Sequence, residues 1–353
     1  MSVKSLLALM LSLLITALGL AGCAGGSNES SEDLGDVSWV FSDDGNGSGE
    51  ESMTDEKVTV RLAGMKGPTS IGLVGILEND ANGQAKNEYE FTLAGAADEI
   101  TPLLIQGKLD IAAVPANLAS VLYNKTEGKV KLLAVNNLGV LYIVAKGESV
   151  DSVADLKGKT IYATGKGTTP EYTLRNILSK NNIDPDNDVT IEFKAEATEV
   201  VAAISKAENA VAMLPQPYVT VACNKVEGLE VALDLNEEWG KVSDGSIVTG
   251  VIVVRDEFAK ANPEAVKKFL DEYKESINAV NADAAASAKL VVKHGIFDNE
   301  GVIAKAIPAC NIKYIAGNEL KKPVGDYLAV LFAQNPQSVG GKLPADDFYF
   351  IAE

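Results

Sequence analysis

From Lys57 onward, short apolar runs alternate with amphipathic stretches. In the first half the strand-like runs are KVTVRLAG, YEFTLAG, DIAAVP and KVKLLAV. Between them lie helical patterns from about Ser70 to Asn79, from Asp98 to Gln106 and over NLASVLYN. The second half repeats this order with the strand-like KTIYATG, VTIEFKA, AVAMLP and LEVALDL, separated by the helical EYTLRNILSK, TEVVAAISKA and PYVTVACN. Strands that alternate with helices predict βαβ units, so the fold class is α/β with mostly parallel sheets.

Local identities strengthen the repeat. Lys66, Gly67 and Thr69 recur as Lys166, Gly167 and Thr169; Pro115 recurs as Pro215. Asn124-Lys125 and Glu127-Gly128 recur as Asn224-Lys225 and Glu227-Gly228, always one hundred residues on. The last match falls on a loop that the fold alone does not dictate, which predicts two similar lobes. A long β-run, SIVTGVIVVR, follows the second lobe, and the chain then turns helical over PEAVKKFLDEYKESINAV, ADAAASAKLVVK and EGVIAKAI. If that run returns to the first lobe, the chain crosses twice, near 138–146 and near 246–255, and two parallel linkers make a hinge. The expected division is lobe 1 over 57–142 and 246–353, including the C-terminal helices, and lobe 2 over 143–245.

The N-terminus reads differently. Lys4 precedes an apolar run from Leu6 to Leu20, the length of a signal-peptide core and too short for a full membrane span. It ends in Leu20-Ala21-Gly22-Cys23, which resembles a bacterial lipobox, in which the cysteine is acylated and becomes the new N-terminus. Residues 1–22 are thus expected to be a signal peptide and Cys23 a lipid anchor holding the protein at a membrane surface. Residues 23–56 are rich in Gly, Ser, Asp and Glu, a composition that cannot bury enough apolar surface to order itself, and they read as a tether. One apolar run, Val37 to Phe41, interrupts it. Of the formal net charge of −18, the signal segment carries +1 through Lys4, the tether −10 and the segment from Lys57 onward −9. A mildly acidic body argues against nucleic acid as a partner.

In open α/β sheets, ligands bind beyond the carboxyl ends of strands, where loops lead into helices. The loops GMKGPTS and TGKGTTP occupy this place in each lobe, offering helix N-termini, hydroxyls and the two lysines. Two converging lysines favour an anion, while Asn, Gln, Thr and Tyr suit an uncharged heterocycle equally well. Catalysis finds little support. His294 stands in the helical region after the lobes, no Ser-His-Asp or Cys-His arrangement can be drawn, and GKGTT is too short for a phosphate-binding loop. Paired carboxylates such as Glu171 with Glu199 could be drawn as acid and base, but acids are common in this chain and are expected to be mostly solvated. Beyond Cys23, Cys223 and Cys310 are expected to be free buried thiols, with a single bridge as the alternative.

Four segments in order, the lipobox aside, carry a family resemblance: GMKGPTSIGLVGIL, GKLDIAAVP, NNLGVLYIVAKG, and SVADLKGKTIYATGKGTTPEYTLRNIL with its DLKGKTI followed by G.GT. Together they resemble the type II periplasmic binding proteins of ABC importers, in the branch similar to thiamine-precursor, alkanesulfonate, taurine and nitrate binding proteins. The resemblance covers nearly all of 57–353. It implies a monomeric extracytoplasmic receptor without cofactor or metal, which closes two lobes on a small polar molecule and delivers it to a permease and ATPase. Carried over by position, it places Lys66, Pro68, Thr69, Ser70, Ala94, Gly95, Pro115 and Asn117 on the first wall. Lys166, Thr168, Thr169, Glu171, Gln216 and Tyr218 form the second wall, with Asn136 and Asn137 at the floor. The aromatic or charged residue that often marks the ligand in those relatives has no placed counterpart here; Tyr172, Tyr218 and Trp239 are the nearest aromatics. A lipoprotein sensor or adhesin, or an enzyme on the same fold, are the alternatives.

Overall fold

The computed structural model describes residues 57–351. The expected signal peptide, Cys23, the tether and its Val37–Phe41 run lie outside the described residues. The strands are β1 (Thr59–Met65), β2 (Glu88–Ala94), β3 (Ile111–Pro115), β4 (Val130–Leu138), β5 (Leu141–Lys146), β6 (Thr160–Ala163), β7 (Thr190–Phe193), β8 (Ala210–Pro215), β9 (Leu229–Asp234), β10 (Val248–Arg255) and β11 (Ile312–Ala316). They form a six-stranded sheet in the order β11-β4-β10-β3-β1-β2 and a five-stranded sheet in the order β7-β6-β8-β5-β9.

The two orders are one pattern. Each sheet reads second, first, third, inserted, fourth, where the inserted strand is β10 in the first sheet and β5 in the second. Both inserted strands run antiparallel to both neighbours, whereas β1 with β2 and β3, and β6 with β7 and β8, are parallel. The α/β class with two similar lobes therefore stands, but the sheets are mixed rather than mostly parallel. The reason is topological: each inserted strand arrives directly from the other sheet and so enters from the opposite end. The repeat also shows in the backbone, since Gly67 and Gly167 take φ of 109° and 74°, and Gly128 and Gly228 take 85° and 73°. Left-handed backbone at the same four places explains why glycine persisted in both copies.

The expected helices form at Ala97–Ile105, Ala116–Lys125, Thr169–Lys180, Ala197–Lys206, Tyr218–Lys225, Pro263–Ala282, Ala284–Lys293 and Glu300–Ala306. The first one differs. Instead of one helix from Ser70 to Asn79 there is a turn over Pro68–Ile71 and a separate helix over Val74–Ala81. Helix Pro263–Ala282 presses on this break: the Ser276 hydroxyl donates to the Gly72 carbonyl at 2.7 Å and accepts from the Gly75 N–H at 2.9 Å. A side chain thus takes the place of helical hydrogen bonds, and a Cβ on Gly72 would lie 3.0 Å from Ile277. Helices Leu235–Val242, Asp256–Ala261 and Lys321–Gln334, and strand β11, were not anticipated.

Strands β4 and β10 are nearly continuous apolar runs because they are covered on both faces. One core layer contains Val60, Leu62, Phe269 and Tyr273; another unites residues of both sheets, such as Val251 and Ile161, with Tyr327 and Leu331 of helix Lys321–Gln334. The pairing of β4 with β10 shifts at three places, and at one of them Gly250 pairs with Asn137 and Val251 with Val135, so Asn136 is an extra residue in the ladder. This bulge turns both asparagines toward one glycine.

Asp110, 1% exposed before β3, anchors the far end of the first sheet. It accepts from Arg61 Nε at 2.8 Å, Arg61 Nη2 at 2.6 Å and Arg255 Nη2 at 2.9 Å, tying β1 to β10. Burial alone would raise its carboxyl, but the hydrogen bonds from Arg61 and Arg255 outweigh it and hold the group below its ordinary 3.8.

Asp110→Asn should cost about 3 kcal/mol, the low end for breaking a buried pair because Arg61 stays partly wet. A depressed carboxyl contributes fully above its unfolded value and loses that contribution as pH falls through the folded one. Urea unfolding should therefore show the variant's deficit at pH 7 and its shrinkage below about pH 4. Gly250→Ala tests the bulge: the new Cβ would fall 2.2 Å from Asn137 Oδ1 and 2.3 Å from Asn136 Oδ1. The overlap should lower stability by about 1–3 kcal/mol, read by thermal unfolding; a wild-type melting temperature would show that the asparagines are not fixed there.

Candidate functional site

The carboxyl ends of β1, β3 and β4 carry Met65, Pro115 and Leu138, and those of β6 and β8 carry Ala163 and Pro215. Residues from the two groups meet. The Thr169 hydroxyl, at the start of helix Thr169–Lys180, donates to Asn117 Oδ1 at 3.3 Å, with both residues at most 3% exposed. The Tyr218 ring packs edge-on against Phe297, 5.7 Å between centroids. Deeper, the hydroxyls of Thr173 and Tyr327 lie 3.1 Å apart, and the Tyr327 ring sits 5.4 Å from that of the fully buried Trp239. Trp239 is thus core, and burial pushes the Tyr327 hydroxyl up to about 12. Tyr172 is half-buried.

The proposed first wall divides by depth. Thr69, Ser70, Asn117, Asn136 and Asn137 are buried, Pro68 and Pro115 are half-buried, and Lys66 and Gly95 are exposed. Backbone bonds fix the exposed pair: the Lys66 N–H donates to Ala94 O at 3.0 Å, and the Gly95 N–H to Glu99 Oε1 at 3.1 Å. Ala94 itself is buried. On the floor, Asn136 Nδ2 donates to Thr69 O at 2.9 Å, joining β4 to the loop after β1.

The second wall is occupied by its own bonds. Thr168 Oγ1 donates to Gly165 O at 2.8 Å, closing the loop before the helix. Glu171 accepts from the Gly167 N–H at 2.6 Å and from Arg175 Nε at 2.8 Å, so its charge is spent on the helix start. Gln216 Oε1 accepts from the Thr220 hydroxyl at 2.8 Å. Lys166 is exposed.

The carboxylates and the histidine weighed from the sequence are engaged elsewhere. Glu199 is exposed and accepts from the Ala195 N–H at 3.0 Å, while Glu171 is bound to Arg175, so the two carboxylates serve as separate caps. His294 ends helix Ala284–Lys293, with Nε2 3.2 Å from Glu78 Oε2, which Lys293 also holds. Both cysteines are free; Cys310 is buried, which pushes its thiol up to about 12, whereas Cys223 is only half-buried. No group of three or more metal-ligating side chains occurs among the described residues.

Sequence reasoning missed Gly250 and Tyr327. The signal for Gly250 was present: a lone glycine inside the apolar strand SIVTGVIVVR marks a bulge or a close approach. Nothing in the sequence pointed to Tyr327, because its partners Thr173 and Trp239 are distant along the chain.

Comparison with known proteins agrees with this architecture. A protein of Brucella abortus whose name claims binding and no substrate is 28% identical over 205 residues, covering 58% of this chain and 61% of its own. The chain thus spans about three fifths of the length of the curated relatives it matches. A solved structure described as an ABC transporter from Parabacteroides distasonis is 25% identical with a TM-score of 0.70, covering 84% of this chain and all of its own. The periplasmic aliphatic sulphonate binding protein of Escherichia coli shares the fold at 16% identity, with a TM-score of 0.65 over 80% of this chain and 94% of its own. The family described as NMT1/THI5 like matches residues 90–286, more than half of the sequence, and the chain belongs to that family.

Proposed function

We propose that this chain is the extracytoplasmic substrate-binding component of an ABC importer, and that it closes two lobes on a small polar molecule and delivers it to a permease and ATPase. Residues 57–142 and 246–353 act as one lobe and 143–245 as the other, moving about the crossovers that flank β5 and β10. The observation that carries the reading is the buried polar junction, where Thr169 of one lobe meets Asn117 of the other above Thr69, Asn136 and Asn137. Fully buried neutral polar side chains at the facing strand ends suit reversible recognition by hydrogen bonds, and no nucleophile and base stand together there. The neighbours described as ABC transporter and sulphonate binding protein support the same reading.

Attachment follows from the lipobox-like Leu20 to Cys23: acyl chains on Cys23 would hold the body at a membrane surface through the acidic tether. No helix among the described residues is long and apolar enough to cross a membrane.

Two measurements test these claims. Equilibrated with a small-molecule extract of cells, the protein should gain one bound species by native mass spectrometry and melt at a higher temperature, and the species should be recovered unchanged. At a hundredfold excess over Kd the gain is about 2.7 kcal/mol. A chemically altered product, or no bound species, would sink the receptor. Cys23→Ser should shift the protein from the membrane fraction to the soluble fraction and remove the mass of the acyl groups; retention at the membrane would refute the anchor.

A further inference from the structure

Resting on the receptor reading, we infer that the ligand is an uncharged or cationic molecule presenting N–H donors, held by the first lobe while the second serves as its lid. The bulge in β4 sets two consecutive asparagines against one glycine, and the Oδ1 atoms of Asn136 and Asn137 converge on the place a Gly250 Cβ would take, at 2.3 and 2.2 Å. Both residues are at most 2% exposed, and neither oxygen accepts a hydrogen bond among the described residues. Thr69 packs its methyl 2.8 Å from the same point, and its hydroxyl is also buried without a partner. Native proteins leave few such atoms unpaired, so a cluster of them marks a partner supplied from outside the chain.

The unpaired buried hydroxyls of Thr69, Ser70 and Tyr273 can donate or accept, so the sign of that partner rests on the two amide oxygens, which only accept. Asn136 Nδ2 is used by Thr69 O, which leaves its carbonyl oxygen as the free end. Two buried amide oxygens present the negative ends of their dipoles, which attract N–H groups and repel a sulfonate or nitrate oxygen. The features that would favour an anion are weakened here. The turn at Pro68–Ile71 is only four residues long, and Lys66 and Lys166 are exposed, where water and salt screen their charge.

The second lobe lacks this pair of asparagines; its unpaired buried amide oxygen, Asn236 Oδ1, stands singly beside Gly139. In the repeat, Gly250 opposite Pro115 corresponds to Leu141 opposite Pro215, so an apolar side chain fills the equivalent place. Thr168, Thr169, Glu171 and Gln216 all have partners already. The two lobes share a fold and differ in what they can still bind.

The test uses the full chain, thermal shift and calorimetry, with adenine, cytosine, urea and acetamidinium as donor probes and nitrate, ethanesulfonate and phosphate as anions. Stabilisation by at least one donor probe and by none of the anions is expected. Asn137→Leu keeps the approximate shape and removes one free oxygen. Ligand-free, it should melt at or above the wild-type temperature, because an unpaired buried acceptor has gone, while its affinity for the responding donor falls about tenfold or more. Stabilisation by an anion overturns the inference and leaves the receptor standing. Silence from every donor probe, or undiminished donor affinity in Asn137→Leu, also overturns it; the receptor is judged separately by the bound species from the extract.

Discussion

Neither sheet can be completed by its own half of the sequence. The gap between β3 and β4 is filled by β10, which arrives only after the whole second lobe has been made, and the gap between β8 and β9 is filled by β5, which leaves directly from β4. Both inserted strands are buried and make ladders on two sides, so the crossovers are held at each end by full strand pairing. The backbone passes between the two sheets in the few residues between β4 and β5 and in those between helix Leu235–Val242 and β10. The exchange also explains the antiparallel insertions, and it places Gly250 and Leu141 at equivalent positions facing the junction.

The two halves share their geometry and differ in the side chains that set the chemistry. The conserved-by-geometry features of the repeat are those that the backbone needs: the positive-φ glycines and the prolines that end β3 and β8. The features that differ between copies are side chains at the junction. One copy has a glycine with two asparagines bulged against it; the other has a leucine. A buried unpaired amide oxygen is destabilising by itself, on the order of 1–3 kcal/mol. Asn236 Oδ1 is one such atom in the second lobe, but the first lobe sets two of them against a single glycine, which is intelligible if a ligand relieves them there.

Much of this was legible in the sequence because it depended on local pattern. The alternation of apolar runs with amphipathic stretches placed the expected strands, and one-hundred-residue spacing between Lys66-Gly67 and Lys166-Gly167 exposed the two lobes. What remained hidden depended on contacts far along the chain. Helix 70–79 reads as continuous, but Ser276, some two hundred residues later, takes the backbone groups of Gly72 and Gly75 and breaks it. Glu171 reads as a ligand for the cleft, but Arg175 one turn later and the Gly167 N–H absorb it. The burial of Asn136 and Asn137 required knowing that β4 bulges against β10, which no single-strand pattern reveals.

Helix Lys321–Gln334 introduces a further coupling. It follows β11 of the first sheet, yet Tyr327 meets Thr173 and Trp239, which belong to the chain around the second sheet. The chain then returns to helix Ala116–Lys125, where Asn117, Ser120 and Asn124 donate to the carbonyls of Ser338 and Val339. Asn117 therefore has two duties: its Nδ2 fastens this return segment, while its Oδ1 receives Thr169 from across the junction. The polar contacts between the two sides named here are neutral hydrogen bonds, each with a net worth of about 1 kcal/mol. Bonds of that size add little to the apolar layer that joins the two sheets, in which Val251 and Ile161 pack with Tyr327 and Leu331.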